Sequence, residues 1–250
     1  MPDLILDDFQ SQDVSRALDR RLSNLVPTFH WRDVENWQHS QMFTVAKTAG
    51  YDVLDDLAAA VEDAIKNGET FDTFSKRLIP ILQDAGWWGR DQVIDPLTGQ
   101  LAEVQLGSLR RLQIIYDTNL RMSYSAARWL EIERVKADRP YLMYQAVLDS
   151  RTRAEHRAWS GTILPCDHQW WNTHYPPNGW NCRCTVISLS DRQRDQFLGQ
   201  DGIRTDPLPF DLRSVINTRT GATEQVPEGI DPGFGYNVGK AMLAALASGG

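Results

Sequence analysis

The chain lacks much of what usually announces a function. No run approaches the roughly 18 apolar residues of a membrane span. The opening MPDLILDDFQ has neither the basic region nor the apolar core of a signal peptide, so cytosolic synthesis without export is expected. A Gly-rich phosphate loop, an HExxH helix and a GxSxG elbow are all missing, which removes the common signatures of nucleotide, metalloprotease and serine-hydrolase chemistry. There is no internal repeat. Basic residues are not in excess: the net charge is −7, and residues 1–95 carry 17 Asp/Glu against 9 Lys/Arg. An acidic front half is a poor sheath for polyanionic nucleic acid. Residues 96–160 reverse the balance, 10 basic against 7 acidic, so a DNA contact, if the chain makes one, would fall there. At 42% hydrophobic and 24% charged, the composition is that of an ordinary soluble folded chain.

What is present is uneven. All three cysteines (Cys166, Cys182, Cys184), three of the five histidines (His156, His168, His174) and four of the nine tryptophans fall between Tyr141 and Ser190. The front half reads as helical. Phe9, Val14, Leu18 and Leu22 recur at helical spacing over 9–25. Val53, Leu54, Leu57, Val61 and Ile65 form a second stripe stopped by Asn67-Gly68. Thr70 is placed to cap a third helix carrying Phe71, Phe74, Leu78 and Leu82, with Pro80 expected to kink it. Asp95-Pro96 and Thr98-Gly99 mark a loop or small hairpin over 91–107. A long helix is expected from Ser108 to about Ala137, ~43 Å at 1.5 Å per residue, long enough to connect two bodies or lie on a partner. Strands are expected at Tyr141–Leu148 and Cys182–Leu189, in one sheet, with 149–181 crossing between them. Thr152 and Glu155 fit a capping box, as do Ser190 and Gln193. Residues 201–250 read as an irregular tail whose end, MLAALASGG, is a short helix or a frayed terminus. The fold class that follows is α+β: a helical arm over 1–90, a connecting loop or hairpin over 91–107, a core over 108–200 built on a long helix and a small β-sheet, and the tail.

Cys182 and Cys184 sit two apart, so on a strand both thiols share one face, about 7 Å from each other. Three fates stay open for the cluster. Cys166, His156, Cys182 and Cys184 have the donor types of a structural zinc site, although neither cysteine pair has CxxC spacing. Cys166 could pair with one of the others in a disulfide, which a cytosolic origin disfavours. Or the thiols are simply buried small apolar groups. Asp149, Arg151, Glu155 and His156 can be imagined as an acid–base group, yet Asp149 before Ser-Arg-Thr152 is also what a strand-to-helix turn needs. Pro176 and Pro177 fix a rigid turn in which Asn178-Gly179 would supply positive φ. Arg183, pointing away from the two thiols, is a candidate partner for Asp149. His30 and His39, with the front-half tryptophans, are expected in core or interface.

LDSRT at 148–152, GTIL at 161–164 and YPPNGWNCRCTV at 175–186 resemble the signature of the phage Mu F-like head morphogenesis family. RRLQIIYDTNLRMSYSAARW at 110–129 resembles the helix that precedes that core. WQHSQMFTVAK at 37–47, ETFDTFSKRLIPILQDAGWWG at 69–89 and VPEGIDPGFGYNVG at 226–239 look like its flanking segments. The resemblance implies a minor head protein near the portal vertex, acting in head assembly and leaving with the DNA. It would reside in the virion head, and in the host cytoplasm during assembly. Its partners would be portal and/or major capsid proteins, with no membrane, small-molecule substrate or enzyme activity. Relatives place a cysteine in the short helix after the DSRT turn. His156 stands in that region here, and imidazole can replace thiolate on zinc. Trp31, Trp37, Phe43, Trp87 and Trp88 are the expected docking residues of the arm. The competing function is a metal-dependent hydrolase or toxin-like effector using the Cys/His cluster.

Overall fold

The computed structural model describes residues 8–34 and 36–248. The fold is α+β, as the sequence implies. The chain divides into two compact units, residues 1–123 with 217–221, and residues 124–216 with 222–250.

The first unit is built from amphipathic helices. α1 (Asp8–Leu22) buries Val14 and Leu18. The side chains of Phe9 and Trp37 lie outside the described set. α2 (Leu54–Lys66) buries the expected stripe, Leu54, Leu57, Val61 and Ile65, and Gly68 at φ 63° ends it. α3 (Phe71–Asp84) begins at Thr70, whose hydroxyl accepts from the Thr73 amide, and buries Phe74, Leu78 and Leu82. Phe74 and Tyr116 pack ring on ring at 5.2 Å. The 91–107 segment is a hairpin of β1 (Arg90–Ile94) and β2 (Leu101–Gln105), antiparallel with Arg90 opposite Gln105. Its turn is organised by Asp95, which accepts from the Leu97 amide and takes two hydrogen bonds from Arg219; the same guanidinium reaches Asp33 at 2.6 Å. Phe43 and Trp87, expected as docking residues, are fully buried: the Trp87 indole donates to the Lys47 carbonyl and Arg111 lies over its ring. Trp31 and Trp88 are half-buried.

α4 (Leu109–Val135) gives its first turns to this unit and its last to the second. The second unit holds a three-stranded antiparallel sheet in the order β4-β3-β5, with β3 (Tyr141–Gln145) central, β4 (Ile163–Pro165) on one side and β5 (Thr185–Leu189) on the other. Tyr141 faces both Pro165 and Leu189 in register. The two expected strands thus share a sheet but are shorter. The crossing segment carries α5 (Ala154–Trp159) and α6 (Trp171–His174), and contributes β4 as well. α7 (Asp191–Phe197) starts at the expected Ser190–Gln193 capping box. The 201–250 segment is not irregular. It forms a hairpin of β6 (Leu212–Ile216) and β7 (Thr223–Pro227), then α8 (Val238–Ser248), whose first turn is capped by Asn237 accepting from the Gly239 and Lys240 amides. The sheet and helices enclose an aromatic core of Trp129, Tyr144, Trp159, Trp170, Trp171 and Tyr175.

Candidate metal centre

The site starts from a turn. After β3 the chain must reverse, and Asp149 makes this possible: its carboxylate accepts the Arg151 amide at 3.0 Å and a two-pronged hydrogen bond from Arg183 at 2.5 and 2.7 Å. Planar guanidinium matched to carboxylate is the strongest common form of this contact. Arg183 holds the Asp149 carboxyl well below the usual carboxylate range, and the Arg151 amide adds to that. Arg151 itself is mostly exposed, its guanidinium 3.9 Å from the same carboxylate. The expected Thr152–Glu155 capping box does not form. Thr152 instead donates to the Val147 carbonyl, and α5 opens at Arg153 without a side-chain cap. The cause is local competition: a hydroxyl that closes the turn behind it is not available to the helix ahead.

The Asp149–Arg183 pair fixes Arg183 on one side of the extended chain that leads into β5. The flanking side chains, Cys182 and Cys184, therefore turn to the other side. Both thiols meet His156 on α5: its Nδ1 lies 3.6 Å from Cys182 Sγ and 3.5 Å from Cys184 Sγ. The three donor atoms all lie within 4.8 Å of one another. His156 and Cys182 are buried, Cys184 partly so. The imidazole stacks on Trp159 at 4.9 Å, and its Nε2 contacts the Gly229 carbonyl at 2.9 Å. Gly229 adopts φ 83°, and a Cβ there would fall 2.7 Å from the Glu155 side chain and 2.8 Å from the Trp159 ring. Only glycine brings that carbonyl to the imidazole. Cys184 and His156 hold the Cys182 thiol well below its ordinary pKa, and the shared proton pushes Cys184 up.

Cys166 is not part of this group. Its thiol donates to the Arg139 carbonyl at 3.4 Å, and burial pushes its pKa up to about 11, the state of an inert buried thiol. No disulfide joins the three cysteines in this structure. Glu155 and Arg151 do not join His156 in an acid–base arrangement: Asp149 is committed to Arg183, and the His156 ring to sulfur and backbone.

The loop before the cysteines differs from expectation in where it turns. Pro176-Pro177 is a cis peptide, and positive φ falls at Asn181 (59°), not at Asn178-Gly179. Asn178 is fully buried. Its carbonyl oxygen accepts from the Tyr144 hydroxyl at 3.0 Å, and its amide is directed to the Thr173 and Tyr175 carbonyls. Gly179 is needed for close approach, since a Cβ would sit 2.4 Å from the Asp231 carboxylate and 2.5 Å from Arg153. Asp231 in turn pairs with Arg153 at 2.7 Å and accepts the Trp180 amide. Gly229 and Asp231, both supporting the site, lie in the 226–239 segment, where the residues alone gave no functional signal: a glycine carbonyl and a single acid have no motif.

A family model described as phage Mu protein F like protein matches residues 55–187. The chain is 42% identical over 163 residues to protein F of Escherichia phage Mu, named for capsid assembly, covering 65% of this chain and 37% of that one. It is 37% identical over 230 residues to the Mu-like prophage FluMu F protein of Haemophilus influenzae, covering 86% of this chain and 54% of the relative. The chain thus spans about half or less of the length of these relatives. No solved structure matches it.

Proposed function

Because the chain belongs to the phage Mu protein F-like family, we infer that it acts in building the head of a tailed phage or prophage. The observation that carries this reading is the extent of the family match, which runs unbroken from α2 through α4 to β5 and includes His156, Cys182 and Cys184. The name of the Mu relative, capsid assembly, supplies the process.

The finer reading is a minor head component beside the portal vertex, present in few copies, touching portal and/or major capsid proteins and leaving with the DNA. It works as a structural part and not as an enzyme. The name of the Mu relative, which refers to capsid assembly and not to a reaction, supports this. Among the described residues no helix is long and apolar enough to cross a membrane.

The test is an inducible prophage with this gene deleted. Lysates should lose DNA-filled heads by electron microscopy, and a plasmid copy should restore them. Cross-linking in purified heads should join the chain to the portal protein more than to hexameric capsomers. Normal head yield from the deletion strain overturns the assembly role, and cross-links confined to capsomers overturn the portal position.

A further inference from the structure

Two thiols converge on one nitrogen. The Gly229 carbonyl can only accept, so Nε2 of His156 must carry a proton. In the neutral ring Nδ1 is then a bare lone pair, and one lone pair accepts one S–H. Yet both sulfurs approach it, at 3.6 and 3.5 Å. A metal ion resolves this, because all three donor atoms then point at the ion and not at each other. Zinc bonds of about 2.3 Å to sulfur and about 2.0–2.1 Å to nitrogen, at tetrahedral angles, put neighbouring S and N donors about 3.6 Å apart. That is the spacing found here.

The surroundings fit as well. A metal-bound imidazole nearly always gives its other N–H to a carbonyl or carboxylate, which fixes ring and tautomer. Here Gly229 does this, at a position where any Cβ would collide with Glu155 and Trp159. The Asp149–Arg183 fork keeps Arg183 on the far side of the chain, so that the residues before and after it face His156 together. Cys166, held by the Arg139 carbonyl, is excluded.

We propose that His156, Cys182 and Cys184 bind one zinc ion, with a solvent oxygen in the fourth position beside the partly exposed Cys184. Binding releases to solvent whatever protons the two sulfurs still carry and leaves two thiolates on the ion. The ion joins α5 to the lead-in of β5 and, through Gly229, to the chain after β7. The proposal is independent of the head-assembly reading: either can fail alone.

The full chain, purified without chelator from zinc-supplemented cells, should contain about one zinc by mass spectrometry, with about two sulfur neighbours by X-ray absorption at the zinc edge. Stripping with phenanthroline should lower Tm, and zinc should restore it. Cobalt added to stripped wild-type protein should give the intense sulfur-to-metal absorption of a thiolate site, a readout that needs no variant to fold. Cys184→Ser should lose that band and Cys166→Ser should keep it. Gly229→Ala, whose Cβ would press on Glu155 and Trp159 and push the carbonyl off the imidazole, should weaken zinc by roughly 10–100-fold in chelator competition. Zinc-free protein with reduced thiols that stays folded and rejects cobalt overturns the proposal. So does a Cys182–Cys184 disulfide in freshly isolated protein, or rapid alkylation of Cys182 undiminished by added zinc, which would mark an imidazole-activated nucleophile instead.

Discussion

The first unit buries mostly aliphatic residues and phenylalanine from successive helices, with Trp87 and Tyr116 among them, whereas the second adds to its aliphatic residues a cluster of tryptophan, tyrosine and histidine around a small sheet. The contrast is one of direction. Leu57, Leu78 and Leu82 gain by leaving water and do not care about the angle at which they meet a neighbour. Trp171 must also place its indole N–H on the Pro165 carbonyl, Tyr175 its hydroxyl on Ser125, and Tyr144 its hydroxyl on Asn178. A core of the first kind tolerates swaps of similar volume; a core of the second kind fixes one arrangement, because each buried polar atom left alone carries a desolvation cost.

The largest expected effects probe this directly. Phe74→Ala and Trp171→Ala both remove fully buried rings, and each should cost about 3–5 kcal/mol in urea unfolding. The conservative changes separate the units. Leu78→Met should cost less than about 1.5 kcal/mol. Trp171→Phe shrinks the ring and removes the indole N–H from the Pro165 carbonyl, which keeps the His168 amide, adding roughly 1 kcal/mol to the loss of area. Equal losses for the two conservative variants would break the comparison.

Acid should act on both units alike. His39 in the first and His174 in the second are each pushed down to about 4, in both cases chiefly by burial, with Arg21 adding to the effect at His39. A folded pKa below the unfolded value means the unfolded chain binds the proton first. Stability is therefore full above about 6.5, falls as pH drops through the window from about 6.5 to about 4, and levels off below it. Each histidine can account for roughly 3 kcal/mol across that window. His39→Asn should flatten the first unit's share of a Tm-against-pH curve, and a curve identical to wild type counts against the assignment.

How much of this was legible follows the same division. α2, α3 and the 91–107 hairpin were readable because a periodic apolar stripe and paired turn residues are local signals. The pairing of β3 with β5 followed from alternation. β4 was not readable, because three residues carry too little period to register. β5 starts three residues late, at Thr185, because Cys182 and Cys184 turn toward His156 before the ladder begins. β6 went unseen because it is a surface ribbon, nearly all its side chains exposed, with no alternation to find. At the site, the donor types His156, Cys182 and Cys184 were legible. The exclusion of Cys166 was not, nor was the need for Gly229, since both depend on backbone carbonyls brought in from distant parts of the chain.

A smaller effect tests whether Asp149 serves the turn through charge. Asp149→Asn keeps an acceptor for the Arg151 amide but weakens the fork from Arg183. Tm should fall modestly, and the variant should lose the wild-type drop in stability below pH 4. The sign follows from the lowered carboxyl pKa: the ionised form stabilises the fold above the unfolded value of 3.8, and that contribution is lost as pH falls. An acid profile unchanged by the substitution would place the carboxylate's role in hydrogen-bond geometry alone.

The smallest effect is expected where the same chemistry is exposed. Arg90 and Glu103 pair at 2.7 Å across the β1–β2 hairpin, as closely as Arg183 and Asp149. Distance alone would rank the two as equals. The difference is surroundings: the side chains of Arg90 and Glu103 are 73% and 56% exposed, against 23% and 38% for Arg183 and Asp149, and only the second pair is a two-pronged fork that also organises a turn. Water competes for an exposed pair, salt screens it, and two long side chains lose freedom to make it. Arg90→Gln should therefore change stability by no more than about 0.5 kcal/mol and should leave the salt dependence of Tm flat. Arg183→Gln should lower Tm measurably under the same conditions, and its effect should survive raised salt better. If Arg90→Gln costs as much as Arg183→Gln, the hairpin pair is a structural anchor, and the division between a polar-fixed second unit and an apolar-packed first unit has been drawn too sharply.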